Sequence, residues 1–259
     1  MKQHPIAFGK ALLKQIVFRL TQLLGYRLTK PGLGYILARP TIMAARKKGV
    51  SICQHLEDRE SDPRKRGKRD RIIQKLKEAG TFQECRSVCE IGAGTGMYLE
   101  KVLELAQPSQ YEVYETASDW VRYLKRTHSG NAACKFIFHR ADGHTLKETK
   151  SGTCDLVHAH GVFVYLPLLA TLDYIGEAIR ICRPGGRIVF DCLLDSYFDL
   201  ETVKAWQMSQ WRFPVIIPAA LFRNWLAAHD LRIVDEFSEI FAASVQNYFI
   251  LQKKPDKPQ

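Results

Sequence analysis

Short apolar segments alternate with helical segments from residue 87 to the end of the chain. The apolar segments have the length and composition of β-strands. They cover residues 87–91, 111–115, 135–139, 154–160, 187–194, 231–237 and 245–252. Because strands that alternate with helices form βαβ units, we predict an α/β fold with a doubly wound, mostly parallel seven-stranded sheet. Only a short gap separates the last two segments, which predicts an antiparallel hairpin at one edge of this sheet.

The first predicted strand runs into a cluster of glycines. Residues 88–97 read VCEIGAGTGM, with glycine at positions 92, 94 and 96. Glycine allows a sharp turn and lets a ligand approach the main chain closely. A helix is predicted to follow, and its first turn offers unpaired N–H groups and a positive dipole end. Because ligands of open α/β sheets bind at the carboxyl ends of the strands, we predict a ligand site at this turn.

A dinucleotide site is one interpretation of the glycine turn, but its fingerprint is GxGxxG. The third glycine of this chain comes one residue early, and Met97 occupies the position that should be small. Glu90, just before the turn, would repel a pyrophosphate, whereas it suits a ligand that carries an ammonium group. A nicotinamide-dependent oxidoreductase is therefore disfavoured.

The segment EIGAGTG resembles motif I of the class I S-adenosylmethionine-dependent methyltransferases. Further landmarks stand where that family has them: Glu115 ends the second strand, and Asp142-Gly143 follows the third. Residues 154–167 resemble the family's fourth strand with its loop, and residues 182–186 resemble its turn before strand five. The resemblance covers roughly residues 80–252. It implies a Rossmann-like fold, methyl transfer, and S-adenosylmethionine as the cofactor.

The resemblance also implies which residues hold the cofactor. They are Glu90, Gly92, Ala93, Gly94, Glu115, Asp142 and Gly143. Glu115 would accept hydrogen bonds from both ribose hydroxyls, and Asp142 would face the adenine amino group. Glu90 would offset the cationic methionyl end. The alternatives are a surface carboxylate at a strand end for Glu115 and a turn residue for Asp142.

Two histidines end the fourth strand, where an acceptor would approach the methyl group. Alternation along the strand places His158 and His160 on one face. An unperturbed histidine titrates near pH ~6.5, so either side chain could deprotonate a hydroxyl group. We predict His160, and then His158, as the catalytic base. Packing within the loop is the alternative for both, and Tyr165 would either orient an acceptor or pack under the loop.

The residues after the fourth strand also narrow the class of acceptor. Family members that methylate base amines carry an Asn/Asp-Pro-Pro-aromatic motif at this place, whereas this chain has HAHG at 158–161. We therefore predict O-methylation of a small-molecule, glycan or lipid-linked acceptor. The alternatives are an RNA or protein methyltransferase and a non-enzymatic relative that binds the cofactor. The aromatic stretch 196–218 would be a lid over an apolar pocket or a helix on the sheet edge.

The basic residues are concentrated at the start of the chain. Residues 1–80 contain 19 Lys+Arg and 6 Asp+Glu, whereas residues 81–259 contain 19 and 21. We predict that residues 1–80 are a basic helical extension with a charged linker, and that residues 81–259 are the S-adenosylmethionine-binding domain. Residues 57–71 have almost no apolar side chains, which predicts a solvated loop or hinge. Contact with RNA phosphates is the less favoured alternative.

Residues 5–27 have the spacing of a basic amphipathic helix. Lys10, Lys14 and Arg19 interrupt its apolar run, so neither a membrane span nor a signal peptide is indicated. Such a helix would pack on its own domain or lie on an anionic membrane surface. The seven cysteines include no CxxC pair and indicate neither disulfides nor a zinc site. We predict a cytoplasmic protein that binds no metal. Peripheral contact with the inner face of a membrane, through residues 5–27, is the alternative for its location.

Overall fold

The computed structural model describes residues 36–208 and 215–255. The helices in these ranges are α1 (Ala38–Lys48), α2 (Ile52–Asp58), α3 (Lys68–Glu78), α4 (Met97–Ala106), α5 (Ser118–His128), α6 (Leu168–Ile181), α7 (Leu200–Met208) and α8 (Ala219–Ala227). The strands are β1 (Ser87–Ile91), β2 (Gln110–Glu115), β3 (Lys135–Arg140), β4 (Cys154–Ala159), β5 (Cys182–Leu194), β6 (Ile216–Ile217), β7 (Leu231–Phe241) and β8 (Ser244–Lys253).

Seven strands form a sheet in the order β3-β2-β1-β4-β5-β8-β7. Strands β1 to β5 are parallel, and β8 is antiparallel to both β5 and β7. The short strand β6 pairs with the end of β5. These pairings confirm the predicted mostly parallel α/β sheet with its antiparallel edge. Because the strand order reverses between β1 and β4, the carboxyl ends of β1, β2 and β4 lie side by side around a crevice.

Helices cover both faces of the sheet because alternate residues of each strand point to opposite faces. Val88 of β1 lies in one core, and its neighbour Cys89 lies in the other. The first core includes Leu76 of α3, Leu99 of α4 and Leu124 of α5. The second includes Ile175 of α6 and Phe222 of α8. The two layers hold β1 rigidly, and with it the glycine turn that follows.

Part of the basic N-terminal region is docked on the domain through α5. The Trp120 indole N–H donates to the Ile36 carbonyl oxygen at 2.7 Å, and the Ala38 N–H donates to the Asp119 carboxylate at 3.1 Å. Ala38, Ile52 and Trp120 share a buried cluster. Helix α3 is more deeply integrated, because its apolar residues belong to one of the two cores that flank the sheet. The predicted division between residues 80 and 81 stays a prediction.

The segment 57–71 differs from the solvated loop or hinge predicted for it. Helix α2 ends at Asp58, a 3-10 helix covers Pro63–Lys65, and α3 begins at Lys68. Tertiary contacts stabilise this segment: the Arg71 guanidinium lies 2.9 Å from Glu239, and the Lys68 ammonium donates to the Ile240 carbonyl oxygen at 2.8 Å. These partners are far away in the sequence, so the composition of the segment alone did not indicate an ordered structure.

Smaller differences concern element boundaries. Pro40 lies in the first turn of α1, where its missing N–H has no intrahelical partner to lose. The predicted turn at residues 182–186 lies instead in the irregular start of β5, where the pairing with β4 shifts register. The amphipathic helix predicted for residues 5–27, and Trp211 and Phe213 of the predicted lid, lie outside the described residues.

All seven cysteines lie within the described ranges, and each thiol is free and buried. Burial raises the pKa of Cys85 to about 12, so this thiol stays protonated and behaves as a small apolar side chain. Across residues 36–208 and 215–255, no helix is both long enough and apolar enough to cross a bilayer.

Candidate functional site

The glycine turn follows β1 directly and leads into α4. Gly92, Gly94 and Gly96 have φ values of +72°, +51° and +84°, which side chains with a Cβ adopt only with strain. The Gly92 N–H donates to the Tyr114 carbonyl oxygen at 2.7 Å, and the Gly96 N–H donates to the Ala93 oxygen at 2.8 Å. The turn is therefore anchored to β2 at its start and closed on itself at its end.

Each glycine of the turn meets different surroundings. A Cβ at Gly92 would lie 2.5 Å from Val162 Cγ2, and one at Gly96 would lie 2.8 Å from Leu124 Cδ2. At Gly94 the only neighbour within 4 Å among the described residues would be the Gly92 oxygen at 3.9 Å. The first and third glycines are thus required by protein packing. Gly94 alone presents its backbone to open space, as a ligand cradle requires.

Glu115 connects the end of β2 to this cradle. Its carboxylate accepts hydrogen bonds from the Gly94 N–H at 2.7 Å and from the Ala117 N–H at 2.6 Å. The Thr116 hydroxyl also donates to it, at 3.4 Å. An ionised carboxylate offers about four lone-pair positions, and a ligand diol could replace this long hydrogen bond. The structure therefore brings together the two residues for which the sequence predicted ribose and main-chain contacts.

Asp142 lies at the third strand end of the same edge and is exposed. Its carboxylate accepts hydrogen bonds from the His144 N–H at 3.1 Å and the Thr145 N–H at 2.8 Å, and from the Thr145 hydroxyl. Partial burial would raise the pKa of Asp142, but these hydrogen bonds outweigh it and lower the pKa to about 2. Asp142 therefore stabilises its own loop through these bonds, and Gly143 beside it has a φ of +100°; its predicted contact with the adenine stays a prediction.

Glu90 is buried beneath the turn, with 2% of its surface exposed. The Tyr111 hydroxyl donates to its carboxylate at 2.9 Å and also lies 2.8 Å from His158 Nε2. Burial raises the pKa of Glu90 to about 8, with the hydrogen bond from Tyr111 opposing and the charge of Glu115 adding to the shift. This carboxyl group therefore retains a proton more readily than one in water.

His158 belongs to this buried network. Burial lowers its pKa to about 3, so the imidazole is neutral. The Tyr111 hydroxyl thus bridges Glu90 and His158 Nε2 in one buried hydrogen-bonded chain. His158 Nδ1, 3.9 Å from Glu90, is buried without a hydrogen-bond partner among the described residues. His158 thus lies under the turn and contacts Tyr111, on the same sheet face as Glu90.

The stability of the chain should depend on pH through Glu90. Its pKa is about 8 in the folded chain and near the ordinary 4.5 in the unfolded chain. Between these values the unfolded state has released the proton that the folded state keeps, so the free energy of unfolding falls as pH rises. Glu90→Gln has no carboxyl group to ionise, so its stability does not fall in this way. We expect the difference in unfolding free energy, variant minus wild type, to grow by about 1.4 kcal/mol per pH unit over that range.

Urea unfolding of both proteins at about pH 5 and about pH 8 would measure this difference. Glu104→Gln is the matched control, because the side chain of Glu104 is 63% exposed. A gain for Glu90→Gln that is equal at both pH values would show that Glu90 ionises normally in the folded chain.

His160 follows β4 at the edge of the crevice. Its ring stacks on Tyr98 with a centroid distance of 3.7 Å and lies 5.2 Å from the His158 ring. Both ring nitrogens are buried, and neither has a hydrogen-bond partner in the described part of the chain. Burial, and then the neighbouring His158, lower the pKa of His160 well below 6.5. The imidazole is therefore neutral and has a free lone pair.

Sequence reasoning missed Asp191, which is fully buried on β5. The Gly161 N–H donates to one of its oxygens at 2.6 Å, and the other oxygen has no partner within the described ranges. Burial raises the pKa of Asp191 to about 6, against the opposing effects of the Gly161 hydrogen bond and the charge of Lys68. A lone acid within the apolar run 187–194 was the available signal. Asp191 fixes the start of the loop that follows His160.

Residues 196–208, part of the stretch predicted as a lid or as a helix on the sheet edge, contribute aromatic side chains beside the site. Trp206 of α7 is buried, and its ring lies 6.3 Å from Phe198 and 6.5 Å from Phe241 of β7. Tyr165, from the loop after β4, lies 6.4 Å from the same Phe241 ring. Tyr165 therefore packs against the tip of the β7–β8 hairpin. These rings form an apolar roof beside the carboxyl edge of the sheet.

The sequence matches a family described as a methyltransferase domain over residues 60–236, which is more than half of the chain. The chain belongs to this methyltransferase family. It is an enzyme that transfers methyl groups and uses S-adenosylmethionine as its cofactor. The match begins inside the predicted N-terminal extension, at the segment that the structure docks on the β7–β8 hairpin. No curated protein matches the sequence.

Solved structures share the fold of this methyltransferase. An O-methyltransferase family protein from Burkholderia thailandensis is 16% identical with a TM-score of 0.57, over 98% of this chain and 72% of that chain. N-methyltransferase NodS from Bradyrhizobium japonicum WM9, in complex with S-adenosyl-L-homocysteine, is 16% identical with a TM-score of 0.55, over 75% and 89%. Magnesium protoporphyrin IX methyltransferase from Synechocystis PCC 6803 is 13% identical with a TM-score of 0.56, over 72% and 82%. At these identities the likeness establishes the fold.

The residues of the crevice fit the chemistry of the methyltransferase cofactor. Gly94 leaves open space over its backbone, as close approach of a ligand requires. Glu115 stands beside it with a partly exposed acceptor-only carboxylate. The buried Glu90 lies beneath, where a cationic ligand nearby would favour the ionised form of this carboxyl group.

Proposed function

We propose that this methyltransferase methylates an oxygen atom of a small-molecule, glycan or lipid-linked acceptor. The observation that carries the proposal is His160, whose two buried ring nitrogens have no partner among the described residues. Burial without a hydrogen bond is unfavourable, so a bound hydroxyl group that donates to His160 would be stabilised. An oxygen acceptor must lose a proton on methylation, and a neutral imidazole can receive it.

The proposed roles of the crevice residues follow from their contacts. Glu115 would accept the ribose hydroxyls, Asp142 with Gly143 would border the adenine, and the main chain of Gly92, Ala93 and Gly94 would support the methionyl part. When bound, S-adenosylmethionine supplies an electrophilic methyl group on its sulfonium sulfur. His158 and Glu90 would keep the floor of the site in place through Tyr111, and His160 would take the acceptor proton.

The charged segment 57–71 favours a small acceptor over RNA or protein. Arg64 pairs with Asp62 at 2.8 Å, Arg69 with Glu57 at 3.2 Å, and Arg71 with Glu239 at 2.9 Å. Charges that are already paired with carboxylates contribute less to phosphate binding. A cytoplasmic location and a membrane contact through residues 5–27 remain part of the proposal.

Labelled methyl transfer tests the proposal. Full-length protein, methyl-labelled S-adenosylmethionine and an extract of the native cell should give a labelled product in the low-mass or lipid fraction. His160→Ala should lower kcat by about 10² or more, because a positioned base typically contributes 10²–10⁴. Since the pKa of His160 is lowered well below 6.5, wild-type kcat should show no decline from histidine protonation near that pH.

His229→Ala is the control, because His229 lies at the end of α8 and bonds the Trp225 carbonyl oxygen at 2.8 Å. Label in RNA or protein would favour the alternative acceptors. If His160→Ala forms the labelled product as fast as wild type does, His160 is not the base. The acceptor atom then needs no deprotonation by His160.

A further inference from the structure

A cavity of about 390 Å³ lies beside the crevice, on the side of the basic segment. Its walls come from the end of α2 to the start of α3, from the first turn of α4, and from the tip of the β7–β8 hairpin. The apolar part of the lining includes Leu56, Met97, Ile240 and Phe241. The size lies in the range of small-molecule pockets.

The polar lining of the cavity is mainly basic. Lys65, Arg66, Lys68 and Arg69 contribute, against Glu57 and Glu60. Arg69 is paired with Glu57 at 3.2 Å, and Lys65 lies 3.9 Å from Asp62. Arg66 and Lys68 form no ion pair with any carboxylate in the described part of the chain. Neither cation therefore has a carboxylate within ion-pair distance among the described residues, although the charges of Asp191 and Glu239 act on Lys68 from further away.

Lys68 has donors to spare inside the cavity. Its ammonium donates one hydrogen to the Ile240 carbonyl oxygen at 2.8 Å and lies 5.3 Å from the centre of the Phe241 ring. An ammonium has three N–H donors, so two remain. Burial lowers the pKa of Lys68 to about 8, against the opposing charge of Asp191. An anion in the cavity would relieve the cost of burying this cation.

The cavity also reaches the proposed reaction centre. Tyr98, in the first turn of α4, lines it, and the Tyr98 ring stacks on His160 at 3.7 Å. The cavity and the histidine that would take the acceptor proton are thus separated by one aromatic ring. A molecule that fills the cavity would therefore contact Tyr98, the ring that packs directly on His160.

We propose that this cavity binds the acidic end of the methyl acceptor, a small molecule with an apolar body and one carboxylate or phosphate ester. Lys68 and Arg66 hold the acidic group, and Leu56, Ile240 and Phe241 contact the apolar body. The inference rests on the proposed function, since it places the acceptor relative to His160.

Calorimetry on the full chain saturated with S-adenosylhomocysteine tests this assignment. The probes are 3-phenylpropanoate with its neutral match 3-phenylpropanamide, and phenyl phosphate with its neutral match phenol. We expect an anionic probe to bind at least about tenfold more tightly than its neutral match, because hydrogen bonds to charged groups contribute about 1.5–3 kcal/mol. The tighter of the two anions identifies the acidic group as a carboxylate or a phosphate ester.

The variants locate the site. Lys68→Met should weaken the anionic probe about 10- to 100-fold, and Lys68→Arg should restore most of the affinity. Lys101→Met is the control, since Lys101 pairs with Glu104 on the outer face of α4. If Lys68→Met fails to fold, two measurements still test the assignment. They are the affinity of Arg66→Gln for the anionic probe and the comparison of charged with neutral probes in wild type.

The assignment is overturned if neither anion saturates the wild type up to about 10 mM, if charged and neutral probes bind equally, or if Lys68→Met binds as wild type does. The labelled-transfer assay separates the two levels of failure. Label found in RNA or protein would contradict the proposed function, whereas a labelled low-mass product without discrimination among probes contradicts this inference alone.

Discussion

Glu115→Ala should weaken the binding of S-adenosylmethionine at least about 100-fold while the chain stays folded. The carboxylate accepts from the Gly94 and Ala117 N–H groups at 2.7 and 2.6 Å, and in the proposed complex it also accepts from the ribose diol. Each hydrogen bond to a charged group contributes about 1.5–3 kcal/mol, so losing both bonds to the diol exceeds two orders of magnitude in affinity. Calorimetry with S-adenosylmethionine measures the effect.

Two further variants show whether the carboxylate itself is responsible. Glu115→Gln keeps one carbonyl oxygen as an acceptor and should lie between wild type and alanine. Glu148→Ala, at an exposed position in the loop before β4, should bind as wild type does. An unchanged dissociation constant for Glu115→Ala would mean that Glu115 only shapes the turn.

Gly92→Ala should mainly lower the stability of the fold, whereas Gly94→Ala should mainly lower the affinity for the cofactor. Gly92→Ala adds a Cβ at φ +72° that would lie 2.5 Å from Val162 Cγ2. Left-handed backbone costs about 1–2 kcal/mol for a residue with a side chain, and overpacking costs about 1–3 kcal/mol. We expect about 3 kcal/mol of destabilisation, seen as a decrease in Tm of about 10 °C.

Gly94→Ala has no such clash, because the added Cβ meets only the Gly92 oxygen at 3.9 Å. Its loss of stability should be limited to the backbone term of about 1–2 kcal/mol. Binding of S-adenosylmethionine should nevertheless fall at least about tenfold, because the methyl group fills the space over the cradle. Thermal unfolding and calorimetry on both variants separate the two effects.

The double variant Gly92→Ala, Val162→Ala is the control for the clash. It should recover stability at position 92 by removing the opposing methyl group, apart from the cavity left by the valine. Equal stability of Gly92→Ala and Gly94→Ala, with equal affinity for the cofactor, would show that the two glycines do not differ in role.

The sheet was largely predictable from the sequence because its determinants are local. Strand β1, the glycine turn and α4 follow one another without a break, and the positive φ values at Gly92, Gly94 and Gly96 favour glycine at all three positions. The edge position of Glu115 was predictable for the same reason, because parallel strands end at the same edge. Its bond to the Gly94 N–H then follows from proximity.

The features that could not be predicted depend on contacts between distant parts of the chain. The composition of residues 57–71 indicated solvent, but Glu239 and the Ile240 carbonyl oxygen supply partners that no local pattern reveals. His158 was read as a residue at the strand end, yet Tyr111 on β2 holds it within the sheet. Asp191 is likewise held by a distant partner, the Gly161 N–H, which donates to its carboxylate.

The contact between α3 and the β7–β8 hairpin joins residues that lie 168 and 172 positions apart in the sequence. Arg71 meets Glu239 and Lys68 meets the Ile240 carbonyl oxygen, so one side of the cavity is built by earlier sequence and the other by later sequence. The cavity is therefore incomplete until the hairpin has been synthesised and has docked on α3. The proposed acceptor site would accordingly form only after translation has passed all five parallel strands.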